Sequence, residues 1–139
     1  MTVGEADGDG TMSSSFRPEV GDPSICIVHT GRGERMSQEL AQLLNPVLPA
    51  SFHQYRLPAN ANVELHFHDF DEYWWFTSGT PKVVLRSPSG VVKEFTLEPG
   101  DMVACVRGVE HTLWADHEVV YYQFSSVPVG GERRGHLSR

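Results

Sequence analysis

The sequence VELHFHDFDEYWWFTSG, residues 63–79, decides the fold of this chain. His66 and His68 are two residues apart, and in an extended strand such residues project to the same side. The aromatic run after Glu72 favours a second strand, which a turn at residues 78–81 ends. The loop between His68 and Glu72 is short enough to return the carboxylate towards the histidines. The pattern predicts strand, short loop and strand, with three candidate metal ligands close together.

A further histidine, His111, follows a separate predicted strand and turn over residues 100–110. Three imidazoles and one carboxylate suit a divalent transition ion such as Fe, Mn, Ni, Cu or Zn, whereas Ca and Mg prefer cages of oxygen ligands. We therefore predict one metal site, with the ligands His66, His68, Glu72 and His111. The alternative is that these histidines are hydrogen-bonded core residues and that Glu72 belongs to a solvated loop.

The spacing of these residues resembles the first motif of the cupins. That motif runs Gly, five residues, His-x-His, three or four residues, Glu, six residues, Gly. In this chain the matching positions are His66, His68, Glu72 and Gly79. The leading glycine is replaced by Asn60, and asparagine is among the residues that best tolerate positive φ.

The second cupin motif is also present, without its proline and its asparagine. It runs Gly, five residues, Pro-x-Gly, two residues, His, three residues, Asn, and its positions here are Gly100, Val106, Gly108, His111 and Ala115. The resemblance covers about residues 50–126. It implies an all-β, cupin-type jelly-roll β-barrel of six to eight strands that holds a metal ion inside.

The rest of the chain predicts one domain with two polar ends, since 139 residues fit a single modest core. Residues 1–24 are predicted to be a flexible arm, because they are rich in Gly and Ser and can bury little apolar surface. The barrel domain is predicted at 25–126, with its core at 50–126, and a polar tail at 127–139. Before that core we expect a short strand at 25–28 and one helix from Met36 to Leu44, capped by Ser37.

Charge and cysteine usage limit the partners. The formal net charge of -7 argues against binding to nucleic acid or to an anionic membrane. Cys26 and Cys105 form no paired framework, and the acidic, Gly-rich start is unlike a signal peptide, so we expect a cytoplasmic protein. The expected partner is a small molecule.

Strand alternation suggests residues that line the site. Trp74 shares the face of Glu72 and is a candidate wall of the pocket. Glu64 shares the face of the first two histidines and is a candidate acid–base group. Weaker candidates for orienting a polar substrate are Gln54, Arg56 and Gln123. The sequence leaves open whether Asp69 and Asp71 hydrogen-bond to the ligand histidines.

The opposite face of the same strand carries Tyr73 and Trp75. Neighbouring exposed aromatic residues usually mark an interface. The resemblance to the cupins, many of which are dimers, implies a homodimer, which this pair would explain. The alternative is that a helix or the N-terminal arm covers them.

The resemblance allows several activities. Four protein ligands around an ion that prefers six leave positions for a substrate, so the first hypothesis is a metal-dependent enzyme acting on a small polar metabolite. We place a dioxygenase slightly ahead of an isomerase or lyase, with Fe(II) as the favoured ion and Zn, Mn, Ni or Cu as possible ions. The alternative is a metal-containing small-molecule binding or sensor module without turnover. No helix-turn-helix accompanies the domain and all four ligands are present, which favours an enzyme.

Overall fold

The computed structural model describes residues 18–127, which form two antiparallel β-sheets around one apolar core. The larger sheet has the order β1-β6-β3-β8-β2, and the smaller sheet has the order β5-β4-β7. The strands are β1 Ile27–Val28, β2 Val47–Leu57, β3 Glu72–Ser78, β4 Lys82–Arg86, β5 Val92–Thr96, β6 Met102–Cys105, β7 Glu110–Trp114 and β8 Val119–Ser126, and the α-helix α1 is Gln38–Leu43. The prediction of an all-β fold with a short N-terminal helix is confirmed.

The N-terminal part of the described chain packs at the edge of the larger sheet and also contacts β5 of the smaller sheet. In α1 the Ser37 Oγ accepts a hydrogen bond from the backbone N–H of Leu40, which is fully buried. The helix is shorter than the predicted Met36 to Leu44, and no helix in residues 18–127 is both long and apolar enough to cross a membrane. Strand β1 pairs with the edge strand β6, as expected for residues 25–28.

The predicted arm, 1–24, needs a correction at its end. Val20 is 2% exposed and belongs to the core, and Pro23 is buried as well. Asp22 forms an ion pair with Lys93 of β5, with Nζ and Oδ1 3.1 Å apart. Residues 18–24 are therefore part of the packed domain. The rest of the predicted arm and the tail from residue 128 lie outside the described residues.

Strand β3 occupies the middle of the larger sheet, and its alternate side chains point to opposite faces. Trp74 and Phe76 are buried on the face of Glu72. On the other face Trp75 is 40% exposed, but Tyr73 is only 4% exposed because it stacks on Phe124, with ring centroids 4.6 Å apart. Of the predicted interface pair, only Trp75 is open to solvent.

The sequence predicted a strand for the histidines of the first motif. In the structure they lie in an extended segment outside the regular strands. Their extended segment forms a bridge to β7, where the His66 and His111 backbones exchange N–H···O bonds of 3.3 and 2.7 Å. Beyond this bridge the Gly108 N–H donates to the His68 carbonyl at 3.0 Å, and the chain turns just before β7, with the Val109 N–H bonded to the Val106 carbonyl. The bridge joins the two motifs directly.

The turns between these segments use the motif glycines. Gly79, Gly100 and Gly108 have φ values of 95°, 94° and 86°. Asn60, at the position of the missing glycine, has φ 62° and donates its N–H to the Ala115 carbonyl at 2.8 Å. Its left-handed backbone explains why asparagine can replace glycine there.

Candidate metal centre

The three predicted histidine ligands converge, and the fourth predicted ligand, Glu72, lies beside two of them. One ring nitrogen from each of His66, His68 and His111 lies within 4.8 Å of the other two. The Glu72 carboxylate lies against two of these rings, with Oε1 3.1 Å from His68 Nε2 and Oε2 3.8 Å from His111 Nε2. Three separate backbone segments therefore supply one histidine cluster, as we call these four residues.

The cluster fits a metal ion. The Nε2 atom of His111 is buried and has no hydrogen-bond partner among the described residues, which is costly for a polar atom unless a ligand satisfies it. The other ring nitrogen, Nδ1, lies 3.1 Å from the Val109 carbonyl, and His66 Nδ1 lies 2.7 Å from the Glu64 carbonyl. When Nδ1 donates to a carbonyl, Nε2 presents its lone pair, as a metal ligand must.

The charge states of the cluster also suit a metal. Burial lowers the pKa of His111 to about 4, so its ring is neutral at pH 7. For Glu72, burial acts to raise the pKa, but the hydrogen bond to His68 and the charges of His111 and His68 outweigh it and lower the pKa to about 2. Metal ligation needs neutral imidazoles and ionised carboxylates, and both groups are in that state.

Trp74 contacts two members of the cluster directly and is more than an apolar wall of the pocket. Its indole Nε1 donates a hydrogen bond to Glu72 Oε2 at 2.7 Å, and its ring is perpendicular to that of His111 at a centroid distance of 5.2 Å. The indole therefore fixes one carboxylate oxygen and leaves the other facing His68. Such contacts orient metal ligands.

A buried ion pair holds the two motifs together. Asp71 accepts hydrogen bonds from the Arg107 backbone N–H at 2.9 Å and from Arg107 Nη1 at 2.8 Å, and the Gly108 N–H donates to the His68 carbonyl at 3.0 Å. Asp71 thus binds Arg107, and not a ligand histidine. The turn before His111, which lacks the motif proline, is fixed by this pair instead.

The weaker candidate residues have different surroundings. Gln123 lies on the inner face of β8, paired with Trp74 on one side and with β2 on the other. Gln54 and Arg56 lie on the outer face, where Arg56 Nη1 is 3.2 Å from Glu118. Glu64 is exposed and meets the cluster through its backbone carbonyl. The structure therefore brings only Gln123, together with Trp74, to the face of the cluster.

Two inner-face residues of β2, His53 and Tyr55, were missed as site candidates. Their rings are 4.5 Å apart, and Tyr55 lies 5.8 Å from Tyr121, which lies 6.3 Å from Trp74. Ring contacts thus run from the histidine cluster to the exposed edge of β2. Strand alternation puts His53 and Tyr55 on one face of residues 51–57, but the sequence does not show which face points inward.

Comparisons with known proteins give few matches by sequence. No family model matches the chain. The uncharacterized protein y4oW of Sinorhizobium fredii is 39% identical over 83 residues, which cover 58% of this chain and 35% of that protein. The match therefore spans about a third of the relative's length.

Solved structures give matches at lower identity. A cupin domain from Bordetella pertussis is 19% identical, with a TM-score of 0.40 over 60% of this chain and 80% of that chain. The Streptomyces albus protein HEPD, solved with 2-hydroxyethylphosphonate and Fe(II), is 20% identical, with a TM-score of 0.45 over 55% of this chain and 18% of that chain. The two antiparallel sheets bring residues of both motifs together, as the resemblance to the cupins implies.

Proposed function

We propose that this chain is a metal-dependent enzyme of the cupin type, acting on a small polar metabolite at one divalent transition ion held by His66, His68, Glu72 and His111. The observation that carries the proposal is the convergence of three imidazole nitrogens, with a buried carboxylate against two of the rings and with His111 Nε2 lacking a hydrogen-bond partner among the described residues. Packing alone gives no reason to bury that atom. Fe(II) is the favoured ion, and Zn, Mn, Ni and Cu also suit these ligands.

A bound ion of this kind supplies a Lewis acid and, as Fe(II), a centre for chemistry with dioxygen. The chain's own residues hold and select the substrate. Trp74 keeps Glu72 in place, while Tyr121, Gln123 and His53 offer hydrogen-bonding groups along the same wall. The wall therefore suits a molecule with a flat portion and polar ends.

The inner face also limits the charge of the substrate. On the inward positions of β2, β3 and β8 that pair across the larger sheet, Glu72 is the one acidic residue and there is no Lys or Arg. A multiply charged anion such as a phosphate ester would find no cation of the protein there. A neutral or singly charged metabolite fits this wall better.

We favour a dioxygenase over an isomerase or lyase because the inner face of the larger sheet offers few groups that could act as a base. Proton transfer at a substrate carbon needs a group whose pKa is near the working pH. Burial raises the pKa of Tyr121 above its ordinary value, and the Glu64 carboxylate is exposed. His53, at the open edge of β2, is the remaining candidate base on this wall.

Metal analysis tests the proposal. The full chain, purified without chelator and then reconstituted anaerobically, should bind about one ion per chain. His111→Ala should abolish binding, whereas His117→Ala, which removes a histidine outside the cluster, should leave it intact. Failure of the wild type to bind Fe, Zn, Mn, Ni or Cu would overturn the proposal.

Oxygen consumption by the Fe(II)-loaded chain, measured over a panel of small neutral and singly charged metabolites, tests the reaction class. Uptake that disappears in Glu72→Ala would support a dioxygenase. Turnover without oxygen uptake would support an isomerase or lyase. A compound that raises the melting temperature of the metal-loaded chain and is never consumed would support the binding or sensor module instead.

A further inference from the structure

The outer face of the larger sheet, away from the histidine cluster, carries a group of stacked rings: Phe52, Trp75, Tyr122 and Phe124. We call it the outer aromatic patch. Phe52 stacks on Tyr122 at 5.0 Å and lies 5.6 Å from Phe124, and Trp75 stacks on Tyr122 at 6.0 Å. Phe52 is 51% exposed and Trp75 is 40% exposed. Exposed aromatic groups of this kind mark interaction surfaces.

Two apolar grooves adjoin the patch and share Met102 and Phe124. The first has a volume of about 370 Å³ and runs from Phe52 and Trp75 to the Gly31 and Gly100 backbone. The second has a volume of about 520 Å³ and lies towards α1, lined mainly by Met36, Leu44, Pro46, Val47 and Tyr73. Among the described residues no acidic or basic side chain lines either groove. The partner surface must therefore be apolar and uncharged.

The edge of the sheet continues this surface. Strand β2 is the outermost strand beside the patch, and Val47 and Leu48 at its start are 42% and 37% exposed. One side of an edge strand keeps backbone donors and acceptors without strand partners, which favours contact with another protein chain. The surface thus combines exposed rings, open grooves and a strand edge on one side of the molecule.

We propose that a second copy of this chain covers the outer aromatic patch, in a two-fold symmetric dimer. In such a dimer the same patch serves both copies, so it must contain both the protruding groups and the grooves that receive them. Here Phe52 and Trp75 protrude beside the two grooves. Each copy carries a net charge of -7, so two copies approach at least cost through a surface without charged residues.

The sequence outside the described residues fits these grooves less well. Residues 1–17 are acidic and rich in Gly and Ser, and residues 128–139 contain three arginines and two separated aliphatic residues, Val129 and Leu137. Neither stretch supplies a run of large apolar side chains. A second copy supplies such a surface by symmetry.

Sedimentation velocity of the full chain between about 1 and 100 μM tests the proposal. The wild type should sediment at twice the chain mass of 15.5 kDa. Trp75→Glu and Phe52→Glu should weaken the dimer at least about 30-fold, the effect expected for a central aromatic residue of an interface. Trp114→Glu is the matched control, because Trp114 is 43% exposed but lies on β7 of the smaller sheet.

Circular dichroism separates loss of association from loss of folding, and Phe52→Ser provides a milder variant if a glutamate unfolds the chain. A folded, monomeric Trp75 or Phe52 variant beside a dimeric Trp114→Glu supports the proposal. A wild type that stays monomeric at the highest concentration overturns it. A dimer that survives both patch substitutions also overturns it, because the contact then lies elsewhere. None of these results depends on metal binding.

Discussion

Replacing Arg107 by methionine tests whether its buried pair with Asp71 holds the metal site together. The two side chains are 3% and 0% exposed, and Arg107 Nη1 lies 2.8 and 3.0 Å from the two carboxylate oxygens. Methionine leaves the Asp71 charge buried with only the backbone N–H groups of Asn45 and residue 107. Removing one partner of a buried pair costs about 3–5 kcal/mol, a large part of the stability of a domain this size.

Urea unfolding of the metal-free chain, followed by circular dichroism, measures this cost. The control is Arg56→Met, the same substitution in a pair with Glu118 whose side chains are 62% and 57% exposed. That exposed pair should contribute about 0–1 kcal/mol. The denaturant slope should stay the same in both variants, because the surface exposed on unfolding does not change.

The result that refutes the reasoning is a free energy of unfolding for Arg107→Met within about 1 kcal/mol of that for Arg56→Met. Metal titration of the folded variant adds a second readout. Because the pair fixes the turn before His111 and the residue before Glu72, metal affinity should fall about 10- to 100-fold. Lost stability with unchanged affinity would show that the pair supports the fold but does not position the ligands.

Three further predictions concern the cluster and a crowded turn. Trp74→Phe removes the hydrogen bond to Glu72 and should weaken metal binding about tenfold in a chelator competition; unchanged affinity would contradict the orienting role. The metal-free chain should lose stability as the pH falls from 6.5 to about 4, because unfolded His111 takes up a proton that the folded form, with a pKa of about 4, does not. Urea midpoints measured between pH 7 and 4 would then decline, whereas a flat profile would be inconsistent with a buried neutral ring. Gly100→Ala should lower the melting temperature more than Gly90→Ala. The φ values of the two glycines, 94° and 96°, match, but only at Gly100 would an added Cβ lie 2.7 Å from a facing backbone Cα. Equal losses would mean that the facing loop moves aside at little cost.

Much of the site was readable from the sequence because its signals are local. The spacing of His66, His68 and Glu72 fixes their relative directions within one extended segment and its short loop. Asn60 marks a turn with positive φ because few residues accept that backbone. The alternation in β3 likewise separates Trp74 from Trp75. Each of these inferences depends on neighbours within a few residues.

Other features depended on parts of the chain that are far apart in sequence. Alternation in β2 defines two faces, but only pairing with β8 decides that His53 and Tyr55 point inward and that Gln54 and Arg56 point outward. In the same way, the sequence shows Asp71 only as an acidic residue beside a metal motif, and it is the fold that brings Arg107 against it.

The sequence by itself determined the all-β class, the four candidate ligands and the glycine-type turns between them. The tertiary structure decided which strand face meets the metal site, which aromatic residue is covered, and which ion pair replaces the missing proline of the second motif. Tyr73 and Trp75 illustrate the difference, since both point outward but only Tyr73 is covered. The physical reason is that periodicity fixes directions along one strand, whereas burial and charge pairing depend on the residues that other strands bring opposite it.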